Sequence, residues 1–299
     1  MELHQLRYVV EVANAGSFTR AADALYLAQP SLSVQVRKLE TELGARLFER
    51  LGRRVALTSA GEEFIPHAQR ALFEVEQARQ RVEEVLGLRR GRVAVGVLPS
   101  VGARILPGVL AAFRADRPGV EVSIVEHDVP WEFERMVHAG ELDLAVTRAP
   151  CGRCDLRTAT LVKEPMVALL PPGHPLGGRA TVSLADLAGE DFVTMRSGYG
   201  LRDLMVDVCR RAGFDPRIAV ETGQLSIVLG MVGAGVGVSV LPQLAAGDDV
   251  TRPRLVEEYA HRELVVVWRS GPPLAQPAQA FRDHLLGDGG HGAAPASAR

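Results

Sequence analysis

The sequence predicts a multi-domain protein: an all-α head over residues 1–58, a long linker helix over 59–90, and a two-lobed α/β region over 91–286. Three observations predict it. Short apolar stretches with helical spacing, separated by turn residues, fill the amino end. A narrow apolar stripe then runs through a charged stretch from Ser59 to Val85. From Arg92 onward, strand-like and helix-like stretches alternate. A chain of 299 residues is also longer than one small domain.

The head is read first. Leu3, Leu6, Val9, Val10 and Val12 line one side of a first helix. Ser17 is placed to cap the next, whose Ala21 and Ala22 permit close helix packing. Leu25 to Ala28 fill a break, and Pro30 suits the first turn of a third helix. Leu32, Val36, Leu39 and Leu43 recur there at helical spacing and mark its buried face.

Opposite that face lie Pro30, Val34, Arg37 and Thr41, flanked by Ser31, Ser33 and Lys38. Cations hold phosphates, while Gln29 and the serines can reach base edges in a major groove. Val34 suits contact with a thymine methyl group. A merely solvated face is the competing reading, at roughly even odds on this face alone. Arg46, Arg50, Arg53 and Arg54 follow. Gly52-Arg53-Arg54 between Leu51 and Val55 reads as a tight basic hairpin. Together these make a helix-turn-helix with a wing. The candidate DNA contacts are Ser17, Thr19, Gln29, Pro30, Ser31, Ser33, Val34, Arg37, Lys38, Arg53 and Arg54.

Ser59-Ala-Gly-Glu62 has the pattern of a capping box opening the linker helix. Behind it Phe64, Ala68, Ala71, Val75, Ala78, Val82 and Val85 alternate spacings of four and three, a heptad seam. So narrow a stripe calls for a partner helix, and these seven are the candidate dimerisation residues. Packing on its own domain is the competing reading. Pro66 falls early in the helix, and residues 86–92 read as a hinge.

The alternation after Arg92 argues a parallel sheet with helices on its faces, arranged as two lobes around a cleft. The first lobe is expected over 91–161 and 267–286, the second over 162–266. Residues 287–299, rich in Gly and Ala, are expected to be a disordered tail. Ligands of open α/β sheets bind beyond the carboxyl ends of strands. Those ends carry Ser100, Asp128, Thr147, Arg148, Arg196, Ser197 and Thr222, with Trp131 and Phe133 as a wall. The arginines point to a small carboxylate as effector.

Composition excludes several classes. An apolar fraction of 47% with 23% charged residues is ordinary for a globular protein. The amino end lacks a basic segment followed by an apolar run, and no apolar stretch spans a bilayer. A cytoplasmic location with no membrane partner is expected. The three cysteines do not make a disulfide framework. Cys151-Gly-Arg-Cys154 could act as a thiol or metal sensor, with Arg153 lowering a thiolate pKa, but no second CxxC completes a zinc set. An enzyme on the α/β lobes, with the head as an oligomerisation unit, is the remaining alternative. It would need chemistry that is missing: no GxSxG, P-loop, HExxH or strand-borne nucleotide fingerprint is present. No metal, cofactor or catalytic residue is therefore expected.

Phe18-Thr-Arg-Ala-Ala-Asp-Ala-Leu, Ala28-Gln-Pro-Ser-Leu-Ser, Val36-Arg-Lys-Leu-Glu, Leu47-Phe-Glu-Arg and Leu57-Thr-Ser-Ala-Gly resemble the amino-terminal domain of LysR-type transcriptional regulators. Pro171-Pro-Gly-His-Pro-Leu and Gly233-Ala-Gly-Val-Gly-Val-Ser-Val-Leu-Pro resemble their effector region. The resemblance implies a winged helix-turn-helix head in which Gln29, Pro30 and Ser33 approach the DNA. The position of Val34 often carries arginine in that family. It further implies a linker helix that pairs antiparallel in a dimer and an effector region with the fold of periplasmic binding proteins. The implied partners are double-stranded promoter or operator DNA, a small-molecule effector, further copies of the chain as homodimer or homotetramer, and RNA polymerase.

Overall fold

The computed structural model describes residues 1–51, 54–85, 91–246, 252–271 and 273–288. The expected hinge lies outside the described residues over 86–90, and the expected tail does so over 289–299. The chain divides into two units: Met1–Gly91 together with Met136–Leu142, and the remainder.

The first unit opens with α1 (Leu3–Ala15), α2 (Phe18–Ala24) and α3 (Gln29–Leu43). Ser17 caps α2 by accepting the Arg20 N–H. Pro30 sits in the first turn of α3, and Gly44 ends that helix at a φ of 70°, which glycine adopts without strain. Leu6, Val9 and Val12 pack with Ala21, Ala22, Leu32, Val36 and Leu39 in one core. Leu43, expected on that core face, is 39% exposed, because it lies in the last turn where the helix runs past the core.

The strands β1 (Phe48–Leu51) and β2 (Arg54–Leu57) pair antiparallel, so the basic segment does form a two-stranded ribbon. Glu40 of α3 ties it down: its Oε1 accepts the Leu47 and Phe48 N–H groups at 2.8 and 3.3 Å. The long helix α4 (Ser59–Val85) follows, 27 residues without a break despite Pro66. Its amino end is capped one residue earlier than the sequence suggested. Thr58 Oγ1 accepts the Gly61 N–H at 3.1 Å.

Gly61 has a steric reason. A Cβ there would lie 2.1 Å from the Leu47 carbonyl oxygen, which is backbone and cannot swing aside. Gly61→Ala is expected to cost about 1–3 kcal/mol of head stability. Circular dichroism of the full chain should register this as a lower first melting transition; an unshifted transition would refute the close approach.

After the first unit the chain forms β3 (Arg92–Val97), α5 (Pro99–Arg104), α6 (Leu106–Asp116), β4 (Glu121–Glu126), α7 (Pro130–Ala139), whose residues from Met136 on group with the first unit, and β5 (Leu144–Arg148). Then come β6 (Leu156–Leu169), β7 (Thr181–Val182), β8 (Asp191–Met195), α8 (Gly200–Arg211), β9 (Arg217–Thr222) and α9 (Leu225–Gly233). It closes with β10 (Ser239–Pro242), α10 (Gln243–Ala246), β11 (Arg254–Leu255), β12 (His261–Arg269) and α11 (Gln276–Asp288).

Two lobes result, but their sheets are mixed rather than purely parallel. In the first lobe β3 pairs parallel with β4 and β5, while β12 runs antiparallel to both β5 and β6. In the second, β10 and β11 run antiparallel to β6, and β8 pairs parallel with β9. The reason is the pair of strands that carry the chain out of one lobe and back. They must point in opposite directions to do so.

The changeover lies inside continuous strands. Residues 156–165 of β6 pair with β12, and Met166 onward pairs with β10. Leu264 to Trp268 of β12 pair with β5 in the first lobe. Helix α11 was not expected. It covers α6 and β3 in the first lobe with buried Phe281 against Phe113, ring centroids 5.0 Å apart. It includes Gly287 and Asp288, so the helix runs past the expected start of the tail.

Candidate functional site

Helix α3 is held on one face and free on the other. Pro30, Ser31, Val34, Arg37 and Lys38 are exposed, and Gln29 and Ser33 are half-buried. Gln29 Nε2 donates to Ser33 Oγ at 2.6 Å, one turn on. That bond fixes the glutamine rotamer, leaving its Oε1 as acceptor and the Ser33 hydroxyl as donor toward whatever the face meets. Arg37 Nε bonds the Ser33 carbonyl at 3.2 Å, so its stem lies along the helix. Thr19 is exposed at the start of α2, and Ser17 is half-buried beside it with its oxygen engaged as a cap. Arg53 lies outside the described residues, as does the side chain of Arg54.

Tyr26 was not expected as part of this surface. It occupies the turn between α2 and α3, is 96% exposed and has a φ of 55°, uncommon for a residue with a Cβ. No local pattern signals it, since the left-handed conformation follows from closing the turn.

The linker stripe divides in two. Phe64 and Ala68 pack against the head's own core, together with Ile65 and Leu72. Further along, Ala71 and Ala78 are exposed, and Val75 and Val82 are 46% and 59% exposed. The side chain of Val85 lies outside the described residues. The competing reading, packing on its own domain, thus holds for the first turns of α4, while the later turns leave two valines uncovered.

In the second unit the cleft between the lobes brings together Ser100, Asp128 and Arg148 with Leu98, Gly200 and Leu204. It has closed to about 20 Å³, the room of a single water molecule. The Gly200 N–H donates across it to the Asp128 carbonyl at 3.2 Å, and Arg148 Nη1 reaches the Gly200 carbonyl at 3.5 Å. Thr147 is fully buried behind it, its hydroxyl 3.4 Å from the Pro130 carbonyl. Burial raises the Asp128 pKa above the usual carboxylate value, and the negative charge of Glu126 adds to this, against the opposing effect of His127.

Other expected members do not join. Trp131 is 62% exposed, and Phe133 is buried under His127 as core. Arg196 and Ser197 are exposed in the turn after β8 and line no part of this cleft. Thr222 is buried, its carbonyl accepting the Arg196 N–H at 2.9 Å, and supports that turn.

The sequence reading missed the pair at the back of the cleft. Arg262 of β12 is 3% exposed and Glu164 of β6 is 5% exposed. Arg262 Nε donates to Glu164 Oε1 at 2.8 Å, and its Nη2 donates to both Glu164 Oε1 and, at 3.0 Å, Ser100 Oγ. Glu164 Oε2 accepts the Leu244 N–H at the start of α10, at 2.7 Å. One buried ion pair thus links α5 of the first lobe to α10 of the second. Burial lowers the Arg262 pKa, and only Glu164 offsets it.

The CxxC loop loses the physical basis of a thiolate switch. Arg153 pairs with Asp155 at 3.0 Å instead of serving Cys151. Burial, and then the charge of Glu134, push the Cys151 thiol up to about 11, the wrong direction for a reactive thiolate. Cys209 is buried and pushed up to about 12. Among the described residues no cluster of His, Cys, Asp and Glu could hold a metal ion. No described helix is long and apolar enough to cross a membrane.

Two family models match the chain. The bacterial regulatory helix-turn-helix protein, lysR family, covers residues 3–62, and the LysR substrate binding domain covers 86–289. The chain is similar to the transcriptional dual regulator GltC of Bacillus subtilis, 37% identical over 255 residues, 85% of this chain and 84% of that protein. It is 31% identical to the DNA-binding transcriptional dual regulator OxyR of Escherichia coli, over 96% of this chain and 97% of that one. Among solved structures, full-length OxyR from Pseudomonas aeruginosa matches with a TM-score of 0.76 and 27% identity, covering 95% and 94% of the two chains. The LysR family regulator CbnR matches with 0.69 and 25%, covering 97% and 99%. Neither family model describes an enzyme. A head with one free helix face, a two-stranded wing and a two-lobed effector region agree with these matches: the chain belongs to the LysR family of DNA-binding transcriptional regulators.

Proposed function

We propose that the protein reads operator DNA through the free face of α3 and changes its DNA binding when a small carboxylate enters between the lobes. The observation that carries the DNA reading is the half-bare helix. Leu32, Val36 and Leu39 are fully packed, while Pro30, Ser31, Val34, Arg37 and Lys38 face solvent around the Gln29–Ser33 pair. Gln29, Ser31 and Ser33 meet base edges, Val34 meets a thymine methyl, and Arg37 and Lys38 hold phosphate. Ser17 and Thr19 meet the backbone from α2, and Arg53 and Arg54 carry the wing to an adjacent groove. Ala71, Val75, Ala78 and Val82 seat a second copy, giving a dimer with two heads, and two dimers make a tetramer. Placement of the heads on promoter DNA then governs the access of RNA polymerase.

The effector reading rests on Arg148 beside Ser100. A cavity of 20 Å³ is too small for a carboxylate, so entry parts the lobes along β6 and β12. The DNA assignment is tested with Arg37→Ala combined with Lys38→Ala. Affinity should fall about equally for operator and unrelated DNA, and the salt slope should lose about two phosphate contacts. An unchanged slope would remove these residues from the interface.

A further inference from the structure

Among the described residues, Tyr26 is the most exposed large hydrophobic side chain. At 96% exposure its ring buries almost no apolar area and adds nothing to the head's core. Its φ of 55° is one that a residue with a Cβ adopts at a cost and glycine adopts freely. The fold of the head therefore gains nothing from a tyrosine here. The gain lies in something outside the head that meets the ring.

The turn that carries Tyr26 is firmly held. The N–H groups of Leu25, Tyr26 and Leu27 donate to the carbonyls of Ala21, Asp23 and Ala22 at 3.0, 3.1 and 2.9 Å. Leu25 packs against the head's core, and Leu27 is half-buried. A rigid base thus presents the phenol ready for contact. The exposed residues on either side in sequence, Ala24, Ala28 and Ser31, are small, so a broad partner can reach the ring. In a helix-turn-helix the first helix crosses the DNA backbone and the amino end of the second enters the major groove. The turn that joins them follows the groove wall, where the phosphates are. Asp23 explains why the donor there is a phenol and not a cation. It is exposed three residues before Tyr26, and its carbonyl takes the Tyr26 N–H. A lysine or arginine at position 26 would be drawn to that carboxylate, whereas an uncharged hydroxyl stays free for a phosphate oxygen.

We propose that Tyr26 is a positioning residue for DNA, its hydroxyl donating to one backbone phosphate beside the base pairs under α3 and its ring lying on the adjoining sugar. It sets the depth and register of α3 in the groove and reads no sequence itself. This assignment rests on the DNA reading given above for α3.

The test uses the full chain and two duplexes: the one most enriched when the natural chain selects from random DNA, and an unrelated one of equal length. Tyr26→Phe removes only the hydroxyl; Tyr26→Gly removes the side chain and frees the backbone. Tyr26→Phe should weaken binding to both duplexes alike, at least about five-fold, with the salt slope unchanged because no cation is lost. Tyr26→Gly should weaken it at least about ten-fold, while the melting temperature stays within about 3 °C of the natural one or rises. Single methylphosphonates in the selected duplex then locate the contact. At one position in each half-site they should weaken the natural chain and leave Tyr26→Phe unaffected. If Tyr26→Gly binds within about two-fold of the natural chain while Arg37→Ala with Lys38→Ala loses affinity, the assignment of Tyr26 is wrong and the DNA reading stands. If both variants keep their affinity, the DNA reading falls with it. A changed sedimentation coefficient for Tyr26→Gly without DNA would set the ring against a second copy of the chain and would likewise overturn the assignment.

Discussion

Arg262→Ala should lower the melting temperature of the effector region by roughly 6–20 °C. The substitution strands the Glu164 carboxylate, 5% exposed, with a single N–H from Leu244. Removing one partner of a buried ion pair costs about 3–5 kcal/mol, and each kcal/mol moves a region of this size by about 2–4 °C. The Ser100 hydroxyl loses its donor in the same step. Arg262→Met with Glu164→Gln should recover at least half of the loss, because the glutamine oxygen still accepts from Leu244 and no buried charge is left alone. Scanning calorimetry of the full chain checks both. A fall under about 2 °C for the single variant would mean that the pair contributes little to joining the lobes.

The second large effect concerns assembly. Val75→Asp with Val82→Asp should convert the proposed dimer to monomer at micromolar concentration. Both valines are already exposed within one chain, so the head's own core should melt as before. Only a partner helix gives them something to lose. DNA affinity should fall about a hundred-fold or more, since two linked heads bind with a raised effective concentration and one head does not. Sedimentation velocity and DNA titration read the two outcomes. A dimer that persists places the interface elsewhere.

The head was legible because its signals are local. Helical spacing in Leu32, Val36 and Leu39, the Ser17 cap and Pro30 at a helix start each act within a turn or two. The cleft was legible only in part. Ser100, Asp128 and Arg148 converge from strand and helix ends of one lobe, as the strand-end rule expects. Arg196 and Ser197 also follow a strand, but they do not line the small cavity, since the rule names strand ends and not the side chains of the turn beyond them. Arg262 was missed although a signal existed. In His261-Arg262-Glu263-Leu264 the arginine is in phase with the buried Leu264, so period-two alternation aims it inward. The first half of β6 carries little strand signal of its own. Its polar residues alternate with few apolar ones, and its strand character comes from pairing with β12, far along the chain.

The claim that decides the rest is that α3 reads bases through Gln29 and Ser33. Selection of binding sites from random double-stranded DNA, carried out in parallel on the natural chain and on Gln29→Ala with Ser33→Ala, measures it directly. The expected result is a half-site preference in the natural chain that relaxes in the variant at one or two base pairs, by about 1–3 kcal/mol each, while the spacing of the half-sites stays the same. If the variant selects the same sequences with the same stringency, α3 does not read the DNA through these residues.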